Sequence, residues 1–109
     1  MRNIESIDKA MDTLKKFDLM DKISNELEDL KNSQTAIVQK IGKIEIDNFE
    51  LGNKTLEKVL PEMHQNVADS LDKIAEILQS FEEAKDQFAQ KNNVEALKEQ
   101  EAIRSSSGS

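Results

Sequence analysis

Between residues 23 and 51, apolar residues recur in alternating steps of four and three, which is the spacing of a heptad repeat. With the seven positions lettered a to g, the residues at d are Ile23, Leu30, Ile37, Ile44 and Leu51, and those at a are Leu27, Gln34, Ile41 and Asn48. The pattern predicts a helix of roughly 40 Å with one apolar stripe. Another helix must cover that stripe, so its seven apolar residues are candidate interface residues.

Two of the a positions carry amides, Gln34 and Asn48. A buried amide needs a hydrogen-bonding partner and therefore disfavours wrong registers and wrong oligomers. Gln34 and Asn48 are accordingly candidate register-setting residues. The alternative is a loosely packed seam in which both amides reach solvent.

The first helix is predicted from about residue 3 to residue 51, with two weak places. At residues 17–21 the apolar spacing shortens, which indicates a stammer, a local overwinding of the seam, or a break in the helix. Residues 32–35 are all polar, and three of them have poor helix propensity. The heptad register crosses residues 32–35 unchanged, which favours a continuous helix.

Gly52 and Asn53 predict a turn at residues 52–54. Glycine is the preferred residue just beyond a helix C-terminus, where the backbone turns left-handed, and Asn53 or Thr55 can cap a following helix. The second helix is expected at about residues 55–91, with Pro61 near its start. The short connection predicts a long antiparallel, coiled-coil-like helical hairpin of the all-α class.

The second helix repeats the alternation of four and three. Its seam consists of Leu60, His64, Val67, Leu71, Ile74, Leu78, Phe81, Lys85 and Phe88. The candidate interface residues of this helix are Met63, Val67, Leu71, Ile74, Ile77, Leu78, Phe81 and Phe88. Met63 and Ile77 widen the stripe beyond a narrow dimer seam, and we therefore expect a further partner that completes a three- or four-helix bundle. Lys85 is expected to extend its charged end into solvent.

Asn92 and Asn93 weaken the second helix, and a short amphipathic helix follows at about residues 94–103. Residues 104–109 are rich in serine and include a glycine, which predicts a disordered tail. Residues 1–103 are expected to form a single helical hairpin domain.

Charge and composition narrow the partners. The chain has 109 residues, of which 37% are hydrophobic and 34% charged, and its net charge of −7 repels phosphate backbones and anionic membranes. The sequence has no apolar run of about 18 residues and no signal peptide. We therefore expect a cytoplasmic protein with protein partners, no nucleic acid and no membrane insertion, and export without a cleaved signal stays open.

The sequence shows no catalytic chemistry. It has no cysteine and only three glycines, so neither a thiol nucleophile nor a glycine-rich phosphate loop is available. His64 is the single imidazole, and its best functional interpretation is a contact that responds to pH near neutrality. We expect no catalytic residue, no metal and no cofactor, and hence not an enzyme.

Three functional interpretations follow. The first is a non-enzymatic helical assembly protein that pairs with itself or with another helical subunit through its heptad seams. The second is a small exported or chaperone-like hairpin of a bacterial secretion system. With its turn near mid-chain the predicted outline resembles the secreted Trp-x-Gly helical hairpins, although residues 49–52 read Phe-Glu-Leu-Gly and the chain has no tyrosine. The third is a parallel coiled-coil spacer that continues through Gly52 and kinks at Pro61.

Overall fold

The computed structural model describes the backbone of residues 2–107 and the side chains of residues 7–104. Three helices account for nearly all of this part of the chain: α1 (Arg2–Leu51), α2 (Lys54–Lys91) and α3 (Val94–Ser107). No strand occurs within residues 2–107. The predicted all-α class is confirmed.

Helix α1 runs through both of the places where the sequence indicated weakness. Acid-first pairs four residues apart, such as Asp18 and Lys22, support the helix across residues 17–21. In the polar stretch at residues 32–35, the Thr35 hydroxyl donates a 2.8 Å hydrogen bond to the Lys31 carbonyl within the helix. The helix break considered at each place is therefore absent.

The turn between α1 and α2 forms where the sequence predicts it. Gly52 adopts a positive φ of 71°, a conformation that suits glycine, and its N–H donates to the Asn48 carbonyl at 2.7 Å. The Asn53 side chain accepts a 3.0 Å hydrogen bond from the Leu56 N–H and so caps α2. Of the two predicted caps, the structure selects Asn53.

Pro61 lies in the first two turns of α2, as expected. Because α2 begins at Lys54, Pro61 is nevertheless inside the helix. It has no N–H to donate to the Glu57 carbonyl, so one intrahelical hydrogen bond is missing. The Asn53 cap fixes the start of α2, since its side chain accepts from the Leu56 N–H in the first turn.

Helix α3 begins after Asn92 and Asn93, as predicted. Asn93 adopts a positive φ of 50°, which asparagine tolerates better than most residues, and its carbonyl accepts from the Leu97 N–H at 3.2 Å. The helix continues to Ser107, so the disordered tail predicted from residue 104 is wrong for residues 104–107. Serine only weakens a helix, and no glycine or proline precedes Gly108 to end it. Residues 108–109 lie outside the described residues.

The chain packs as two compact units. Unit 1 comprises residues 1–25 and 80–109, and unit 2 comprises residues 26–79. In each unit a stretch of α1 lies antiparallel against a stretch of α2, which confirms the helical hairpin and excludes the parallel rod. The prediction of a single domain stays a prediction.

Candidate interaction surface

In unit 2, helix α2 presents the predicted seam to α1. Leu60, Ile74 and Leu78 are buried, with exposed fractions of 6%, 9% and 7%. His64 and Leu71, at intervening seam positions, are half-buried. The most apolar line of this helix is therefore the line that packs within the hairpin.

Helix α1 contributes a more polar seam to the same unit. Its seam residues, all buried or half-buried, follow the alternation of three and four and are Leu27, Lys31, Gln34, Val38, Ile41, Glu45 and Asn48. Thr35 and Gly42, the only other residues of α1 in this unit that are not exposed, lie beside the seam. Only Ile41 and Asn48 are buried, at 6% and 5% exposed. The a positions thus face α2 as predicted, but their neighbours in the seam are at position e rather than at position d.

The apolar d residues of α1 lie beside this seam and remain exposed. Leu30, Ile37 and Ile44 are 47%, 45% and 45% exposed, and Leu51 is 73% exposed. In unit 1, Ile23 is exposed in the same way, at 37%. The hairpin therefore leaves the predicted interface residues at position d without a covering helix, and their burial by a partner stays a prediction.

Two α2 residues, Met63 and Ile77, lie on the same side of unit 2 as the α1 d residues. One residue along a helix is a rotation of about 100°. In a pair of antiparallel helices, the residue immediately before a seam residue lies on the same side of the pair in both helices. Ile44 precedes the seam residue Glu45, and Ile77 precedes the seam residue Leu78.

We call this surface the apolar flank. Met63 and Ile77 are 45% and 54% exposed, so both helices contribute exposed apolar side chains to it. Its members are Leu30, Ile37, Ile44 and Leu51 of α1 and Met63 and Ile77 of α2. A row of exposed large apolar side chains on two neighbouring helices is a candidate for binding another protein.

The opposite side of unit 2 has a different character. Its positions next to the seam are occupied by small residues, including Gly42, Ala68 and Ala75, which are half-buried. One large apolar side chain, Phe49, is 90% exposed near the turn. Phe49 and Pro61 belong to an open cleft whose other lining residues are Glu45, Asn48, Leu56, Glu57 and Leu60.

Asn48 closes the turn of unit 2. Its side-chain N–H donates to the Asn53 carbonyl at 3.1 Å, and its side-chain oxygen accepts from the Asn53 N–H at 2.9 Å. The buried amide thus finds its partners in the turn backbone rather than in a side chain across the seam. Gln34, the other register-setting candidate, is half-buried. That either amide sets the register stays a prediction.

His64 contacts a carboxylate from the other helix of unit 2. Its Nδ1 lies 2.7 Å from a side-chain oxygen of Glu45, with 39% of the His64 side chain and 30% of the Glu45 side chain exposed. Both are seam residues. The contact is a polar link between α1 and α2.

Unit 1 contains a polar cluster between α1 and α2. Ser24, which is 3% exposed, donates a hydrogen bond to Glu82. Lys85 lies 3.1 Å from Asp21 and 3.4 Å from Glu82. Only 16% of the Lys85 side chain is exposed, and its ammonium group pairs with two partly exposed carboxylates. That it extends its charged end into solvent stays a prediction. Two carboxylates within reach hold the ammonium group at the seam.

The hydrogen bond from Ser24 is the main cause that lowers the pKa of Glu82 below its ordinary value, and Lys85 acts in the same direction. The hydrogen bond to Asp21 is the main cause that raises the pKa of Lys85. Both shifts favour the charged forms. The cluster is therefore an ion-paired link between α1 and α2.

Helix α3 packs within unit 1. Val94 is 2% exposed, and the Lys98 ammonium lies 4.6 Å from the centre of the Phe17 ring. Such a cation–π contact contributes about 0.5–1 kcal/mol at a surface. The seam residues Phe81 and Phe88, both predicted as interface residues, are half-buried in this unit.

Other kinds of site are absent from the part of the chain that the structure describes. No three His, Asp or Glu side chains there converge as metal ligands. None of the described helices combines the length and apolarity needed to cross a bilayer. Comparison of the chain with protein-family models, with curated proteins and with solved structures finds no match.

Proposed function

We propose that this protein is a non-enzymatic helical assembly module that binds a helical protein through its apolar flank. The single observation that carries the proposal is the exposure of Leu30, Ile37 and Ile44 at regular heptad spacing. Residues seven apart on one helix face form the line into which a second helix packs. The hairpin presents this line but does not cover it.

The second helix of the hairpin supports the same proposal. Met63 and Ile77 extend the exposed apolar surface across both helices, so it is wide enough for a pair of helices rather than one. Burial of such side chains contributes roughly 25 cal/mol for each Å² removed from water. The affinity of the module would therefore come from shape and apolar burial, in a three- or four-helix bundle.

The test uses two lysine substitutions in the same helix. Ile44 lies on the apolar flank, whereas Ile46 is 69% exposed and lies about 200° further round α1. We expect the wild-type chain and Ile46→Lys, expressed with a tag in the native host, to purify in a particle heavier than the 12.4 kDa chain. Ile44→Lys is expected to purify alone.

Light scattering of the purified samples gives the masses, and circular dichroism checks that both variants remain helical. The proposal is wrong if the wild-type chain is a monomer without companions, or if Ile44→Lys retains every companion that Ile46→Lys retains.

A further inference from the structure

We infer that the occupant of the apolar flank is a second copy of this chain. The two copies pack face to face into a four-helix bundle with both turns at the same end. This inference rests on the proposed function and names its partner. It follows from the heights of the flank residues along the hairpin and from the charges that border them.

The heights come from contacts within unit 2. The contact between Glu45 and His64 joins residue numbers that sum to 109, and the turn at Gly52–Asn53 corresponds to a sum close to 105. The mean of these two sums is 107. Flank residues on the two helices whose numbers sum to 107 therefore lie at nearly the same height along the hairpin axis. Leu30 is level with Ile77, and Ile44 is level with Met63.

A two-fold axis parallel to the helices uses this match directly. It places α1 of one copy antiparallel to α2 of the other, at the heights found within the hairpin. Leu30 then packs on the partner's Ile77, and Ile44 packs on the partner's Met63. Four of the six flank residues thus meet a large apolar residue of the other copy. The two that do not are Ile37 and the turn residue Leu51.

The residues at the outer border of the flank suit the same arrangement. They lie four residues before the flank residues or, for Asn66, four residues before Ser70, which lies on the same line of α2 as Met63 and Ile77. They are Glu26, Ser33, Lys40 and Asp47 on α1, and Val59, Asn66 and Lys73 on α2. With the turns at the same end, Asp47 lies opposite the partner's Val59, and Lys40 lies opposite the partner's Asn66. Lys73 lies opposite the partner's Ser33. No like charges oppose each other.

The other face-to-face arrangement has a two-fold axis perpendicular to the helices and puts the turns at opposite ends. There α1 packs on α1, with Ile37 level with the partner's Ile37. Asp47 then lies opposite the partner's Glu26, twice in the dimer, and such like-charge pairs disfavour an interface. The arrangement with both turns at one end avoids these like-charge pairs and is therefore the favoured one.

The size of the flank is adequate for a dimer. From Leu30 to Leu51 it is about 30 Å long. Two packed helices are about 20 Å wide, from an interaxial distance of 8–10 Å and the diameter of a helix. The resulting face of about 600 Å² approaches the roughly 800 Å² per partner of a standard stable interface.

The first experiment measures mass against concentration by light scattering, with the purified chain alone. We expect the wild-type chain and Ile46→Lys to have twice the mass of a 12.4 kDa chain at high concentration. The dimer dissociation constant of Ile44→Lys should be at least tenfold larger. Circular dichroism of each variant checks that it is helical, which is expected because both residues are exposed.

The second experiment determines where the turns lie. The chain has no cysteine, and the Lys54 side chain at the start of α2 is 90% exposed, so Lys54→Cys places a single spin label beside the turn. With both turns at one end, the two labels lie within about 30 Å of each other. With the turns at opposite ends they lie about 50 Å apart, from the rise of about 1.5 Å per residue.

The outcomes separate this inference from the proposed function. A dimer with a label distance near 30 Å, weakened by Ile44→Lys alone, supports the inference. A monomer at all concentrations overturns the inference, and the proposed function survives if another protein from the native host binds in an Ile44-dependent way. A dimer with labels near 50 Å, or one that Ile44→Lys leaves intact, also overturns the inference.

Discussion

The two helices of unit 2 use their apolar residues differently. Helix α2 directs its most apolar line at α1, where Leu60, Ile74 and Leu78 are buried. Helix α1 directs a mixed line at α2 and keeps Ile37 and Ile44 on the flank. The apolar line of α2 is therefore used mainly for packing within the hairpin. Helix α1 packs within the hairpin through its a and e positions and also carries most of the apolar flank.

The largest expected effect contrasts two neighbouring residues of α2. Leu78→Ala should lower the free energy of unfolding by about 3 kcal/mol, because it opens a cavity in the buried seam. Ile77→Ala is the matched control, and since Ile77 is 54% exposed its cost should be about 1 kcal/mol or less. Urea unfolding at low protein concentration measures both values. Equal costs would mean that the seam does not separate these two residues.

A substitution that strengthens α2 should have the next largest effect. Pro61→Ala restores the N–H that can donate to the Glu57 carbonyl and removes a helix-interior proline that costs about 3 kcal/mol. The more flexible unfolded chain offsets up to about 1 kcal/mol, so a net gain of about 2 kcal/mol is expected. Urea unfolding of Pro61→Ala against Glu62→Ala, an exposed neighbour in the same helix, measures it. An unchanged stability would contradict the account of the missing hydrogen bond.

The polar seam of α1 provides a smaller contrast between its two amides. Asn48→Ala should cost about 1–2 kcal/mol, because Asn48 is 5% exposed and makes two hydrogen bonds to the turn backbone. Gln34→Ala should cost less, since Gln34 is only half-buried. Thermal unfolding followed by circular dichroism compares the two. A Gln34→Ala cost as large as that of Asn48→Ala would show that burial does not distinguish the two amides.

The smallest effect concerns pH and unit 1. The Ser24 hydrogen bond lowers the pKa of Glu82 below its ordinary value of 4.5. The ionised carboxylate therefore stabilises the fold fully at a pH above 4.5. This stabilisation is lost as the pH falls through the lower value of the folded chain. The midpoint difference between the wild type and Glu82→Gln should therefore shrink below pH 4.5.

Lys85 has the opposite sign. Its pKa is raised, so its contribution to stability is complete at a pH below its ordinary pKa of 10.5. That contribution is lost as the pH rises through the pKa of the folded chain.

Glu83→Gln, at an exposed neighbouring acid, serves as the control for Glu82→Gln. Thermal midpoints between pH 3 and pH 7 that differ equally for both variants would remove the role assigned to the Ser24 hydrogen bond.

Sequence periodicity predicted α2 better than α1 for a geometric reason. In a heptad, positions d and e lie on either side of position a, about 60° and 40° away from it around the helix. Periodicity identifies an apolar stripe but not which of its edges meets a neighbouring helix. In α2 the apolar residues are at the seam positions themselves, as at Leu60 and Leu78, so the stripe and the seam coincide. In α1 the stripe runs through a and d, and the seam runs through a and e.

The same geometry explains the expected stammer at residues 17–21. It arose from joining Phe17 and Met20 to Ile23, which is exposed. Between residues 17 and 24 of α1, the less exposed residues are instead Phe17, Met20 and Ser24, at steps of three and four. A buried serine gives no hydrophobic signal, and its partner Glu82 is 58 residues away in the sequence. The turn was predictable because the glycine and asparagine conformations are local.

The contacts of Asn48 at the turn have a consequence for which sequences can form it. Asn48 holds residue 53 by its backbone N–H and C=O, groups that every amino acid except proline possesses. The choice of side chain at position 53 is therefore left to the cap of α2, which aspartate or serine can also provide. Evolution or design can change that residue freely among capping types while asparagine is retained five positions earlier.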